Sequence, residues 1–158
     1  MGPILVFDVG GTNIRAALYD HINGSLINIR CIDTINYFRY NFSLEFSIEE
    51  VLFNLIYDLG MKTLENKRPE LISMAFPGPI NSDGSVMRAS TIFGEQIINL
   101  NIKNKLTSLW PDSKIFVIND VTASGYRYLD MGHKNFCIVT VSSGIGSKIF
   151  INSSPFDK

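Results

Sequence analysis

The 158-residue chain predicts an α/β fold: a mixed sheet that opens with three antiparallel strands and continues as βα units, with helices on both faces. Three observations predict it. Ile4 to Asp8 is an unbroken apolar run ending in a carboxylate, the pattern of a strand buried on both faces. Two more strand-like runs follow before any helical period begins. After them, apolar stretches of strand length alternate with stretches of helical spacing.

Taken in order, Ile14 to Tyr19 alternates loosely and is the hairpin partner of the first strand. Asn23-Gly24 suits a type I′ turn and leads into a third strand, Leu26 to Thr34. Tyr37 to Phe46 is rich in aromatics: Tyr37, Phe38, Tyr40, Phe42 and Phe46. Aromatics at such density stack bases in single-strand binders. Here Arg39 is the one cation and Glu45 cancels it, so covering the core or contacting a subunit is the better reading. Ser47-Ile48-Glu49-Glu50 is a capping box. Behind it Ile48, Val51, Leu52, Leu55, Ile56 and Leu59 fall on one helical face, and Gly60 loosens or ends that helix.

Leu71 to Phe76 is a fourth strand, stopped by the stiff loop Pro77-Gly78-Pro79 and followed by a turn at Asp83-Gly84. Residues 88–101 carry no clear period. Ile102 to Trp110 reads as a short helix capped by Asn101, Lys114 to Ile118 as a fifth strand and Asp120 to Met131 as a helix. Asn135 to Val141 and Ser147 to Ile151 form a closing pair of strands. The chain divides most easily at Gly132-His133-Lys134, into residues 1–134 and 135–158.

Apolar residues make up 46% of the chain, enough for the packed core of one domain. A net charge of −1 with scattered Lys and Arg excludes bulk attraction to nucleic acid or an anionic membrane. No apolar run is long enough to span a bilayer. The first strand begins at once, so no secretory leader is expected and the cytoplasm is the expected compartment. Cys31 and Cys137 lie in apolar strand-like runs and read as reduced core thiols. No metal-ligand spacing links them to His21 or His133, which read as surface residues.

The most chemistry lies in Val6-Phe7-Asp8-Val9-Gly10-Gly11-Thr12-Asn13-Ile14-Arg15. It is a strand, a carboxylate, two glycines, a hydroxyl and a second strand. Without a Cβ, Gly10 and Gly11 are free to take φ > 0 and to let an anionic oxygen approach the backbone. Asp8 repels a phosphate, so beside one it makes sense only with a divalent cation or its water shell between them. A carboxylate in an apolar strand is costly unless paired or bound to metal. Three other segments also follow strands: Pro77-Gly78-Pro79, Asn119-Asp120 and Ser143-Gly144-Ile145-Gly146. Loops after strand ends are where such sheets assemble sites, so all four are expected to converge on one cleft.

Each has a plainer reading alone. Gly10-Gly11 makes a tight hairpin turn, the proline loop is punctuation, Asp120 is an N-cap, and the last glycines are a hairpin turn. There is no Walker-type loop, no Gly-x-Gly-x-x-Gly and no Ser/His/Asp arrangement.

In this order the four segments resemble the ROK family of sugar kinases and repressors, glucokinase-like members included. Asp8 to Arg15 is similar to the family's first phosphate motif. Ala75-Phe76-Pro77-Gly78-Pro79-Ile80-Asn81 with Gly84-Ser85-Val86 is similar to its sugar loop. Val117-Ile118-Asn119-Asp120-Val121-Thr122-Ala123 resembles its catalytic segment, and Ser143 to Gly146 its second phosphate motif. The likeness runs from Ile4 to Ile151.

The resemblance implies an actin-like, ribonuclease-H-like fold with two lobes and ATP in the cleft. Residues 1–134 would be the N-terminal lobe and 135–158 the first hairpin of the C-terminal lobe. It implies phosphoryl transfer from Mg·ATP to a hydroxyl of a hexose-like sugar, glucose by default, with cyclitols and N-acyl hexosamines as alternatives. By motif position Asp120 is the base that takes the hydroxyl proton. Asn119 holds neighbouring hydroxyls, helped by Pro77, Gly78 and Pro79. Gly10, Gly11, Thr12 and Asn13 bind phosphates together with Ser143, Gly144 and Gly146, and Asp8 orders Mg²⁺.

This sequence departs from the family pattern at two places. Ser147 stands where another glycine is usual, and Ala89-Ser90-Thr91 where a Pro-Asn pair is common, which leaves the sugar open. Family members continue well beyond Lys158. The resemblance therefore implies an N-terminal half, weak or inactive alone, that pairs with a C-terminal half or forms a homo-oligomer. The alternative is a non-catalytic sugar-binding or regulatory module. Repression of DNA is not expected, because no basic patch is present and the first strand opens the chain.

Overall fold

The computed structural model describes residues 2–38, 47–94, 99–141 and 144–156. Strands β1 (Ile4–Val9), β2 (Asn13–Asp20) and β3 (Ser25–Asp33) form an antiparallel meander. Helix α1 (Ile48–Leu64) crosses over to β4 (Leu71–Phe76), which pairs with β1 in parallel. A short excursion follows: β5 (Ser85–Val86), α2 (Ser90–Phe93) and β6 (Leu100–Asn101). Helix α3 (Ile102–Leu109) then leads to β7 (Lys114–Asn119), parallel to β4. Helix α4 (Asp120–Asp130) and the strands β8 (Phe136–Val141), β9 (Ile145–Ile151) and β10 (Ser154–Pro155) complete the chain.

The main sheet has the order β3-β2-β1-β4-β7, antiparallel on one side of β1 and parallel on the other, as the sequence predicts. In the parallel part Asp8 lies opposite Ala75, and Ala75 opposite Ile118. The loops leaving β1, β4 and β7 therefore emerge side by side at one edge.

On the core side, Leu5, Phe7 and Val9 alternate along β1 and are buried, as are Ile72, Met74 and Phe76 of β4. Leu52, Ile56 and Leu59 of α1 join the same core from above β1 to β3, Phe93 stacks on Phe76, and Ser47 Oγ accepts the N–H of Glu50 at 3.1 Å to start α1. Gly60 does not end α1, which runs on to Leu64. It is a point of close approach: a Cβ there would lie 2.9 Å from the Trp110 ring and 3.0 Å from that of Phe7.

The β2–β3 turn is not type I′. Gly24 takes φ 63° but Asn23 stays at negative φ, and the loop spans residues 21–24. Asp20 organises it, accepting from the Asn23 amide and from the backbone N–H of Ile22 and Asn23. Those bonds, the Asn23 side chain first, hold its carboxyl below the usual aspartate range. Strand β3 is the sheet edge, and an extra residue at Asn28, φ 54°, forms a bulge opposite β2.

Both cysteines are exposed, against the expectation of core thiols: Cys31 lies on the edge strand and Cys137 on the side of β8 turned away from α4. Their apolar neighbours line faces that no described element covers. Of the aromatic stretch, residues 39–46 lie outside the described residues. Tyr37 and Phe38 are exposed and meet edge to face, with the Tyr37 ring against Gly94.

The hairpin β8–β9 docks on α4 through Phe150, which is fully buried, stacked on Phe136 at 4.7 Å and pressed against Gly125. Among the described residues, no helix is long and apolar enough to cross a membrane.

Candidate functional site

A cavity of about 1010 Å³ opens where the loops after β1, β4 and β7 emerge. Its walls are Gly10 and Gly11, residues 77–82, residues 87–91, residues 117–122 and residues 144–148, with Tyr126, Thr140 and Pro155. The four predicted segments thus meet around one opening. Pro77, Gly78, Pro79, Asn119, Asp120, Gly144 and Gly146 all line it. Asp8, Thr12 and Asn13 are not among its lining residues, and Ser143 lies outside the described residues.

Asp120 is half-buried. Its Oδ1 accepts from the N–H of Val121 at 2.8 Å and from Asn119 Nδ2 at 2.9 Å. No described residue donates to its Oδ2. Burial pushes this carboxyl above the ordinary aspartate value, the negative charge of Asp8 adds to the push, and the hydrogen bonds on Oδ1 oppose it.

Asp120 is not the helix cap. Asn119 is: its Oδ1 accepts from the N–H of Thr122 at 3.0 Å and from Thr122 Oγ1 at 3.2 Å. Its Nδ2 also donates to the carbonyl of Gly78 at 2.9 Å. Both polar atoms of Asn119 are therefore engaged within the protein. Because Asn119 serves as cap, one carboxylate oxygen of Asp120 is left for other work.

The Pro77–Pro79 loop is held from two more directions. Gly78 sits at φ 98° with the Arg88 carbonyl where a Cβ would fall, so only glycine fits. The Pro79 carbonyl accepts from the N–H of Met87 at 3.0 Å. Across the cavity, Gly146 touches the start of α4: a Cβ there would lie 2.7 Å from Val121 Cγ2. Gly144 has open space around it.

Neither Gly10 nor Gly11 takes a positive φ, contrary to expectation. The N–H of Gly10 closes the turn on the Asn13 carbonyl at 2.9 Å. Two buried side chains that sequence reading missed brace this loop from behind. Thr34 Oγ1 donates to the Gly10 carbonyl at 2.7 Å, and Asn36 Nδ2 to the Gly11 carbonyl at 2.8 Å. The N–H of Thr34 also reaches the Thr12 carbonyl at 2.8 Å.

Asp8 is about half exposed and pairs with Arg15 at 2.9 Å, its neighbour in the β1–β2 register. Pairing and exposure, rather than metal alone, make this carboxylate tolerable at a strand end. Arg88 and Lys148 line the cavity and were also missed. The signal for Lys148 was its period-two spacing with Gly146 and Phe150 on the inner face of β9. Among the described residues, no three His, Cys, Asp or Glu side chains gather as a metal cage.

The sequence pattern of the ROK family matches residues 4–157. The C(7)-cyclitol 7-kinase of Streptomyces hygroscopicus subsp. jinggangensis is 28% identical over 150 residues, covering 93% of this chain and 42% of that protein. The chain thus spans less than half the length of the curated relatives it matches. A ROK family glucokinase from Streptomyces griseus, solved with glucose and AMPPNP, superposes with a TM-score of 0.78 at 19% identity, over 98% of this chain and 46% of that one. The inorganic polyphosphate/ATP-glucomannokinase of Arthrobacter sp. strain KM gives 0.76 at 22% identity, over 100% and 62%. These likenesses show the actin-like fold that the segment order implied. Since the family pattern extends over nearly every residue described above, the chain belongs to the ROK family.

Proposed function

We propose that this chain is the N-terminal half of an ATP-dependent kinase that phosphorylates a hydroxyl of a hexose-like or cyclitol ring. One observation carries the reading. A half-buried carboxylate, anchored by Oδ1 and open at Oδ2, faces a cavity walled on one side by Gly10 and Gly11 and on another by the Pro77–Pro79 loop.

In this reading the acceptor hydroxyl lies against Asp120. Its oxygen attacks the γ-phosphorus of ATP, the bond to the bridging oxygen of ADP breaks, and the hydroxyl proton passes to Asp120 Oδ2. Phosphoryl transfer of this kind needs alignment and charge neutralisation more than covalent help. Gly10, Gly11, Thr12 and Asn13 receive phosphate oxygens from the β1 side, and Ser143, Gly144 and Gly146 from the β8–β9 side. Asn119 keeps Asp120 and the Pro77–Pro79 loop in one frame, and meets a sugar hydroxyl only by exchanging one of its present bonds.

The residues suit magnesium. Mg²⁺ keeps several waters and is held through one or two carboxylates plus substrate phosphates, not by a cage of protein ligands. Asp8, half exposed and steadied by Arg15, is the carboxylate that fits. The ion would neutralise charge on the transferring phosphate. Residues 135–158 begin a second lobe whose remainder supplies the far wall of the nucleotide cleft. A reaction that draws on Mg·ATP fits the cytoplasm, the compartment this reading gives it.

The acceptor class rests on the relatives, one named for a C7-cyclitol and one solved with glucose. The test is ADP release from Mg·ATP over a panel of hexoses, N-acyl hexosamines and cyclitols, with the longest native form and its Asp120→Asn variant. Turnover that depends on one acceptor and collapses in the variant supports the reading. Equal turnover in both removes Asp120 from the chemistry. Acceptor binding by calorimetry without Mg·ATP binding or turnover replaces it with a sugar-binding regulatory module.

A further inference from the structure

We propose that Thr34 and Asn36 are positioning residues for phosphate binding: they hold the carbonyls of Gly10 and Gly11 toward the interior, so that the N–H groups of Gly11 and Thr12 point outward. The proposal rests on the kinase reading and deepens it.

The geometry follows from the peptide bond. In a trans peptide the C=O of one residue and the N–H of the next point in opposite directions. Thr34 Oγ1 fixes the Gly10 carbonyl at 2.7 Å, and Asn36 Nδ2 fixes that of Gly11 at 2.8 Å. Both bracing side chains are buried, at 0% and 4% exposure, so these carbonyls face inward. The N–H of Gly11 and the N–H of Thr12 must then face the other way, on the side where Gly10 and Gly11 line the cavity. Neither N–H has an acceptor among the described residues.

A glycine pair needs such a brace. With no Cβ to restrict it, a Gly-Gly peptide flips at little cost. A flipped peptide would present a carbonyl oxygen, and therefore negative partial charge, where an anion is to bind. Thr34 and Asn36 penalise the flip, because it would leave a buried donor without its partner. Simple packing does not explain them. Apolar side chains of similar size would fill the same space without the cost of burying polar atoms.

The brace is itself anchored. The N–H of Tyr37 donates to the Ile92 carbonyl at 2.8 Å, and Asn36 Oδ1 accepts from the N–H of Phe38 at 3.1 Å. Ile35, between the two braces, packs into the core.

The test uses the longest native form and titrates magnesium tripolyphosphate, which carries no adenine and no sugar, while the amide NMR signals of Gly11 and Thr12 are followed. KM for ATP and for the acceptor are measured on the same proteins. Thr34→Val keeps the shape and removes the hydroxyl, and Thr34→Ser restores it. In wild type both signals are expected to shift saturably. In Thr34→Val, tripolyphosphate affinity is expected to fall and KM for ATP to rise about tenfold, the loss of one hydrogen bond to a charged group. KM for the acceptor stays put, and Thr34→Ser returns to wild type. Should Thr34→Val fail to fold, Asn36→Ala, which releases the Gly11 carbonyl along with the N–H of Phe38, must show the same split.

Unchanged affinity and KM in the folded variants would overturn the proposal while leaving the kinase reading intact. So would a wild type that turns over without any movement of those two amide signals. A wild type that neither binds tripolyphosphate nor turns over would overturn the kinase reading and this proposal together.

Discussion

Asn119 Nδ2 donates at 2.9 Å to the carbonyl oxygen of Gly78, joining the end of β7 to the loop that leaves β4. The same side chain caps α4 through its oxygen. Asn119→Ser separates the cap from the amide's two donated bonds, because serine caps nearly as well as asparagine but has no amide N–H for Gly78 or Asp120. Stability is expected to fall by about 1–2 kcal/mol, the worth of the two hydrogen bonds that Nδ2 donates, to Gly78 and to Asp120. KM for the acceptor is expected to rise about fivefold to tenfold with KM for ATP unchanged. Thermal melts and steady-state kinetics on the purified variant check both. A rise in KM for ATP alone would contradict the assignment of this tether to the acceptor side.

Asp120→Asn separates chemistry from stability. The amide oxygen can still accept from Val121 and Asn119, so the local frame survives. A half-buried charge disappears, and burial is the largest influence acting against that charge. The melting temperature is therefore expected to stay the same or to rise. Turnover is expected to fall by about 10²- to 10⁴-fold, the usual contribution of a positioned base. Melting curves and single-turnover rates on one preparation check the pair of outcomes. A destabilised variant that kept its rate would reverse the role given to this residue.

The raised Asp120 value also has a pH signature. As a base the carboxyl must be ionised, so kcat is expected to decline as pH falls through a value above about 3.9, the ordinary aspartate figure. The stability effect has the opposite sign. Between the unfolded and the higher folded value the native state binds more protons, so this group favours folding as pH drops through that window. Asp83, held below the usual range mainly by the Ser85 hydroxyl, behaves the other way: its contribution is lost as pH falls through its lowered folded value. A kcat profile against pH, with Asp120→Asn as the flat control, checks the first claim. An acid limb at or below the ordinary aspartate value would refute it.

What could be read from the sequence was local. The strand ends at Val9, Phe76 and Asn119 follow, to within a residue, from short apolar runs stopped by glycine, proline or a cap, so the converging loops were legible. Asn119 and Asp120 can each cap a helix, and which one does so depends on a helix start that shifts by a single residue. Thr34 and Asn36 were illegible for a different reason. Their partners lie 24 and 25 residues away, and nothing near either residue announces a buried carbonyl in need of a donor. Cys31 and Cys137 have apolar neighbours like those of core residues. Only the sheet order and the facing of the hairpin show that both are exposed. Gly60 reads as a helix breaker until the Trp110 ring is seen against it.

Gly125 presents the same problem in α4, where magnitudes decide the sign. Glycine inside a helix costs about 1 kcal/mol relative to alanine, so propensity alone favours Gly125→Ala. A Cβ at this position would run into the Phe150 ring. That ring cannot easily yield: it is fully buried and lies 4.7 Å from the Phe136 ring at an interplanar angle of 7°. Overpacking a tight core costs about 1–3 kcal/mol, which exceeds the propensity gain. Gly125→Ala is therefore expected to destabilise the protein and to loosen the hairpin that holds Gly146 against the start of α4. With Phe150→Leu in the background the clash is relieved, and the same alanine is expected to cost little or to stabilise. Denaturant melts of the wild type, both single variants and the double variant give the coupling energy, expected at about 1 kcal/mol or more in favour of the double. Additive effects would mean that Phe150 does not set the requirement for glycine, and that the hairpin meets α4 by some other contact.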